Sequence, residues 1–305
     1  MKTIGFIGLG IMGSPMAANL VRAGFDVIGH TRRRAGLDRL VAAGGRTAGS
    51  VAEAVAGADA VITMLPDSPD VEAVLFGPAG VLAHAARGTL IIDMSTVSPQ
   101  TARAVAAVAR GFRVLDAPVS GGEHGAVDGT LSIMVGGDGD DVAAAMPLFE
   151  ALGTTIVHVG PSGAGQTVKA ANQLVVAGVI ELVAEAIVLL EASGVDPAAG
   201  LRVLAGGLAG STVLDRKGAT MLDRTFEPGF RIDLHHKDLG IMLAAAREAG
   251  AVVPVGALVA QLMAAARAQG DGSLDHSALL RLVERMSGRD PAIPRRTAEE
   301  VTVDG

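Results

Sequence analysis

Apolar residues in the first half of the chain gather in short runs, set apart by alanine- and leucine-rich stretches with helical spacing. The runs at 3–7, 26–29, 60–64, 89–93, 113–116, 132–135 and 155–158 read as strands, with helices such as 15–23 and 37–43 between them. Strands alternating with helices predict an α/β architecture. It is a doubly wound parallel sheet of the Rossmann type, with ligands at the carboxyl ends of the strands. The pattern changes at Gly160-Pro161-Ser162-Gly163. From 164 to 193 the sequence reads as one helix, roughly 45 Å long at the standard rise. After it only helical segments follow, broken at Gly194-Val195-Asp196-Pro197 and at Glu227-Pro228-Gly229.

Three parts are therefore expected: a dinucleotide-binding domain over 1–162, an all-α substrate and oligomerisation domain over 163–290, and a polar, loose tail over 291–305. The long helix joins the two domains. It is apolar on most faces and needs cover from several directions, which predicts a homodimer or homotetramer. Glu181 and Glu185 interrupt its most apolar stretch and would be costly at a bilayer centre, so a buried helix is expected in place of a membrane span.

Composition narrows the function. The chain of 305 residues is 50% apolar and 19% charged, with a formal net charge of -7. An acidic balance argues against nucleic acid as a partner, because phosphate backbones attract basic surfaces. Any anionic ligand must be held by local positive groups. There is no Cys, Trp or Tyr. Disulfides, thiolate metal sites, thiol nucleophiles and a tyrosine proton donor are thereby excluded. The N-terminal residues carry no signal-peptide pattern, and a cytoplasmic location is expected.

Between the first strand and the first helix lies Gly8-Leu9-Gly10-Ile11-Met12-Gly13, a G-x-G-x-x-G loop. The first glycine permits a tight turn, the second lets backbone approach a pyrophosphate, and the third allows close helix–strand packing. The end of the second strand reads His30-Thr31-Arg32-Arg33-Arg34, with no acid to bind a ribose 2′-hydroxyl. This favours NADPH over NADH. Met64-Leu65-Pro66 after the third strand and Thr96 after the fourth face the same crevice. Thr96 could instead cap a helix.

Reduction of a carbonyl needs a proton donor for the forming alkoxide. The candidates are His, Lys and the carboxylic acids. Only four of the 25 basic residues are lysines: Lys2, Lys169, Lys217 and Lys237. Arginine does not readily release a proton, whereas a buried lysine can. Lys169 lies early in the long helix among small apolar neighbours, and Asn172 shares its face. Ser120-Gly121-Gly122, after Asp116-Ala117-Pro118-Val119, could expose successive N–H groups as a carboxylate nest. Lys237 offers a second cation. His235 and His236 are adjacent on a helix and point in different directions, so no metal site is expected.

Four ordered motifs carry a resemblance to the β-hydroxyacid dehydrogenase family over residues 1–290. They are the glycine loop, Asp116-to-Gly122, Gly165-to-Asn172 and Lys237-Asp238-Leu239-Gly240. The resemblance implies a catalytic lysine at Lys169 with Asn172 beside it. It also implies substrate contacts at Ser120, Gly121 and Gly122, and a functional lysine at Lys237. Within the family, the phrases 129–137, 165–173 and 230–239 are similar to the tartronate semialdehyde reductases, which reduce a short 3-oxo acid. His124 and Gly29-His30-Thr31 depart from the family pattern. Within the family, a 3-hydroxyisobutyrate or 4-hydroxybutyrate (succinic semialdehyde) dehydrogenase is the alternative. An imine reductase on the same architecture and a non-catalytic NADPH-binding protein are the rival readings. Lys169 argues against the first, and the intact glycine loop with Lys169 argues against the second.

Overall fold

A computed structural model describes residues 1–33 and 35–289; Arg34 and the tail expected at 291–305 lie outside the described residues. By backbone packing the chain divides into two compact units. One is Met1–Asn172 with Ala244–Gly250; the other is Gln173–Leu243 with the chain from Ala251 onward.

The first unit opens with β1 (Thr3–Ile7), α1 (Gly13–Arg22), β2 (Asp26–His30), α2 (Ala35–Ala42), β3 (Arg46–Thr47), α3 (Val51–Val55) and β4 (Ala60–Thr63). It continues with α4 (Ser68–Phe76), α5 (Val81–His84), β5 (Leu90–Asp93), α6 (Pro99–Val108), β6 (Arg113–Asp116), β7 (Val119–Ser120) and α7 (Gly122–Asp128). Next come β8 (Leu131–Gly137), α8 (Gly139–Glu150), β9 (Gly153–Gly160) and the start of α9 (Ala164–Ala192). The strands form one sheet in the order β3-β2-β1-β4-β5-β6-β8-β7, with β9 also paired to β8. The chain adds β2 and β3 on one side of β1 and then crosses back to place β4 on the other, so the strand order reverses at the carboxyl end of β1, where the glycine loop sits.

Side chains of the central strands alternate between two cores. Ile4, Phe6, Ile62, Leu90 and Ile92 face one layer of helices. Ile7, Val61 and Ile91 face the other. A strand buried on both faces reads as a continuous apolar run, which is why these strands are visible in the sequence.

The sheet is not parallel throughout. β8 runs antiparallel to both β6 and β7, and β9 follows β8 in parallel. The reason is local. After β6 the chain continues through Ala117-Pro118 into β7, and the short α7 turns it back before β8 begins. A parallel return would need a full crossover over the sheet face. The two-residue strands β3 and β7 are too short to leave a pattern in the sequence.

The second unit is helical among the described residues. It holds most of α9, then α10 (Pro197–Ala205), α11 (Thr212–Leu222), α12 (Ile232–Glu248), α13 (Pro254–Ala266) and α14 (Leu279–Met286). Asp196 and Ser211 cap α10 and α11 by accepting backbone N–H groups. α9 is long and apolar enough to cross a membrane by length and composition. Its buried face carries Ala177, Ile180, Ala184 and Ile187, the period of a helix packed into protein.

Candidate active site

The glycine loop shows why each of its glycines is there. Gly8 has φ +102°, and a Cβ on it would collide with the Met64 carbonyl. Its N–H donates to the His30 carbonyl at 2.9 Å, tying the loop to the end of β2. A Cβ on Gly13 would strike the Gly8 carbonyl. Gly10 differs: a Cβ there would meet nothing within 4 Å. Packing within the chain therefore does not demand glycine at Gly10. An open backbone at the start of α1 is the shape a pyrophosphate requires. Leu9 is buried beneath the loop, Ile11 is exposed, and Met12 is half-buried at the helical cap of α1. The first turn of α1 carries no acid that would repel a phosphate. These residues fit a dinucleotide.

At the end of β2, Thr31 is half-buried and Arg32 exposed. The Arg32 guanidinium is 3.6 Å from Asp70 Oδ1 with its side chain 84% exposed, a loose pair of little energy. Met64, Leu65 and Pro66 follow β4, and the Leu65 N–H donates to Ser95 Oγ at 2.8 Å. Thr96 is not a helix cap. That task falls to Ser98, whose hydroxyl accepts the Thr101 N–H at the start of α6.

Lys169, the candidate proton donor, is placed by glycines on two elements. Gly136 on β8 and Gly165 on α9 leave no room for a Cβ against Asp116, so the first turn of α9 rests on the ends of β6 and β8. Asp116 accepts the Gly163 N–H at 2.7 Å and the Gln166 N–H at 3.0 Å, satisfying donors that a helix start leaves open. One turn later Lys169 is buried, and its Nζ donates to the Val119 carbonyl at 2.7 Å. That contact sets the ammonium beside Ser120, Gly121 and Gly122. Gly121 (φ +136°) and Gly122 (φ +63°) both hold backbone conformations that favour glycine. Asn172 is half-buried three residues beyond Lys169.

Lys237 lies on α12 in the second unit, with Nζ 2.9 Å from Asp238 Oδ1. Gln173 Nε2 donates to the other carboxylate oxygen of Asp238 at 2.6 Å. His235 is buried, with Nδ1 3.0 Å from His276 Nδ1 and Nε2 3.3 Å from the Gln173 carbonyl. Phe230 packs against both rings. Burial first, and then His235, hold the His276 imidazole well below its usual pKa. Among the described residues no group of His, Cys, Asp and Glu could hold a metal ion.

Asp93 and Gln166, both buried, were not singled out in the sequence. Asp93 accepts Thr63 Oγ1 at 2.8 Å and the Ser95 N–H at 3.1 Å. Burial pushes its carboxyl up to about 6, against the lowering effect of those hydrogen bonds. Gln166 joins α9 to the loop after β5, with Nε2 2.8 Å from the Ser95 carbonyl and Oε1 accepting the Val97 N–H at 3.1 Å. Its partners are some seventy residues away in the chain, so no local pattern marks it.

Residues 3–160 match the family model for the NAD-binding domain of 6-phosphogluconate dehydrogenase. Residues 163–283 match the model for the NAD-binding region of NADP-dependent 3-hydroxyisobutyrate dehydrogenase. The chain is 44% identical over 286 residues to 2-hydroxy-3-oxopropionate reductase of Escherichia coli, covering 93% of this chain and 98% of that protein. It is 40% identical over 298 residues to NAD-dependent L-serine dehydrogenase of Pseudomonas aeruginosa, covering 95% and 100%. Among solved structures, Mycobacterium tuberculosis 3-hydroxyisobutyrate dehydrogenase with L-serine has a TM-score of 0.82 and 39% identity, covering 92% of this chain and 98% of that one.

Proposed function

The chain belongs to the β-hydroxyacid dehydrogenase family, NAD(P)-dependent oxidoreductases acting on hydroxyl groups, and we propose that it reversibly reduces short 3-oxo acids with NADPH. Tartronate semialdehyde, reduced to glycerate, is the favoured substrate. The observation that carries this reading is the buried Lys169 ammonium, held on the Val119 carbonyl next to Ser120-Gly121-Gly122. The 44% identity to 2-hydroxy-3-oxopropionate reductase supports the choice of substrate.

Gly8 to Gly13 would hold the pyrophosphate, Thr31 and Arg32 the 2′-phosphate, and Met64, Leu65, Pro66 and Thr96 the ribose and nicotinamide side, with Lys237 as a further cation. When bound, the reduced nicotinamide supplies a hydride to the aldehyde carbon. Lys169 stabilises the negative charge that develops on the carbonyl oxygen and gives that oxygen a proton. Asn172 orients the reacting group. Backbone N–H groups of Ser120, Gly121 and Gly122 bind the substrate carboxylate. The working protein is cytoplasmic and self-associates, supported by Val175, Leu182 and Leu189, which are exposed at seven-residue spacing along α9. Sedimentation equilibrium at micromolar concentration should return a dimer or tetramer.

Steady-state kinetics with tartronate, methylmalonate and succinate semialdehydes and both cofactors test the substrate reading. Lys169→Ala should lower kcat by about 10²- to 10⁴-fold, with NADPH affinity nearly intact. Near-normal turnover in that variant would overturn the assignment. Arg32→Ala should weaken NADPH by about tenfold while sparing NADH. NAD-dependent oxidation of L-serine is the second reading, favoured by the 40% identical relative. A kcat/KM for L-serine with NAD above that for every semialdehyde would select it.

A further inference from the structure

Thr96 is half-buried between Ser95 and Val97, whose backbone groups are both held by one side chain. The Gln166 carboxamide donates from Nε2 to the Ser95 carbonyl at 2.8 Å and accepts the Val97 N–H on Oε1 at 3.1 Å. A carboxamide donates and accepts at once through a planar fork; a carboxylate only accepts, and an aliphatic chain does neither. Gln166 is 1% exposed, so water does not compete for these bonds.

The same residue is anchored at its own backbone. Its N–H donates to Asp116 Oδ2 at 3.0 Å, which fixes the first turn of α9 on β6. Lys169 is three residues further along that helix. From the other side, Ser95 Oγ accepts the Leu65 N–H at 2.8 Å, and the Ser95 N–H donates to Asp93. The loop carrying Thr96 is thus tied to β4 and β5 by Ser95, and to the Lys169 helix by Gln166.

We propose that Gln166 is a positioning residue. It sets the separation between Thr96, on the nicotinamide side of the cofactor site, and the Lys169 proton donor. The inference rests on the roles given above to Thr96 and Lys169. It adds that these two groups are spaced by one side chain that touches neither substrate nor cofactor.

The test compares Gln166→Leu and Gln166→Glu with the wild-type protein. Isothermal titration calorimetry gives Kd for NADPH and for 2′-phospho-ADP-ribose, which lacks the nicotinamide. Gln166→Leu should weaken NADPH by about tenfold and leave 2′-phospho-ADP-ribose unchanged, as expected for the loss of buried hydrogen bonds on one side of the site. Turnover with deuterated NADPH should show a lower kcat and a larger isotope effect, because misplacement slows hydride transfer itself. Gln166→Glu should recover toward wild type as pH falls, since a protonated carboxyl again donates to the Ser95 carbonyl; Gln166→Leu should not. Equal weakening of both ligands, or a lower kcat with an unchanged isotope effect, would mark a general loosening and overturn the proposal. So would unchanged NADPH affinity. If the wild-type protein turns over no substrate offered, the substrate reading fails, while the two binding constants still decide the role of Gln166.

Discussion

Asp116, at the end of β6, and Glu181, midway along α9, are both buried carboxyl groups that burial makes harder to ionise. Their surroundings differ. Asp116 accepts the N–H groups of Gly163 and Gln166, and these offset much of the cost of burial. Neither oxygen of Glu181 has a hydrogen-bond partner among the described residues, and burial, reinforced by Glu185, pushes its carboxyl up to about 7. The first carboxylate is a joint between strand and helix. The second is a charge site inside an apolar helix face with nothing among the described residues to compensate it. A raised pKa alone does not separate the two; the donors around each group do.

The largest effect should come from breaking the joint. Asp116→Ala leaves two buried N–H donors at the start of α9 without an acceptor, and should cost about 2 to 4 kcal/mol in urea unfolding. A loss below about 1 kcal/mol would show that water replaces the carboxylate and would remove the contrast. Glu181→Leu should act in the opposite direction and stabilise the protein at pH 8 by roughly 1 to 3 kcal/mol. The sign with pH follows from linkage. The folded-state pKa of about 7 lies above the usual 4.5 of a free glutamate, so the wild-type protein loses stability as pH rises through that window. The advantage of leucine should therefore grow from pH 5 to pH 7 and level off above it, as read by thermal melts. No gain at pH 8 would mean that Glu181 has acquired a partner.

The smallest effect sharpens the comparison from the side of the sheet. Asp93→Asn keeps an oxygen to accept from Thr63 and from the Ser95 N–H, and should change stability at pH 4, where the wild-type carboxyl is protonated, by less than about 1 kcal/mol. The wild-type carboxyl, raised from 3.8 to about 6, loses stability as pH rises between those values. The asparagine variant should lack that slope.

What the sequence revealed follows the range of the interactions. The central strands are legible because both faces are buried and their residues are uniformly apolar. The glycine loop is legible because steric demands act within a few residues. Lys169 stands out because lysines are few, Tyr and Cys are absent, and its neighbours are small. The reversal of β8 was not legible, since strand direction depends on where α7 returns the chain, and hydrophobic pattern does not encode that. Nor was the acceptor of the lysine: the Val119 carbonyl is 50 residues from Lys169 in sequence and is joined to it only by the packing of α9 on the sheet. The partners of Asp116 and Gln166 are distant in the same way.

Gly10 carries a consequence for mutational surveys. Its Cβ position is open, so alanine fits the folded chain and narrows the unfolded ensemble. A library selected on thermal resistance would tolerate or even enrich Gly10→Ala, while discarding substitutions at Gly8 and Gly13. Selected on growth that needs the enzyme, the same library should discard all three. The position where the two selections part company is the one whose identity is dictated from outside the polypeptide.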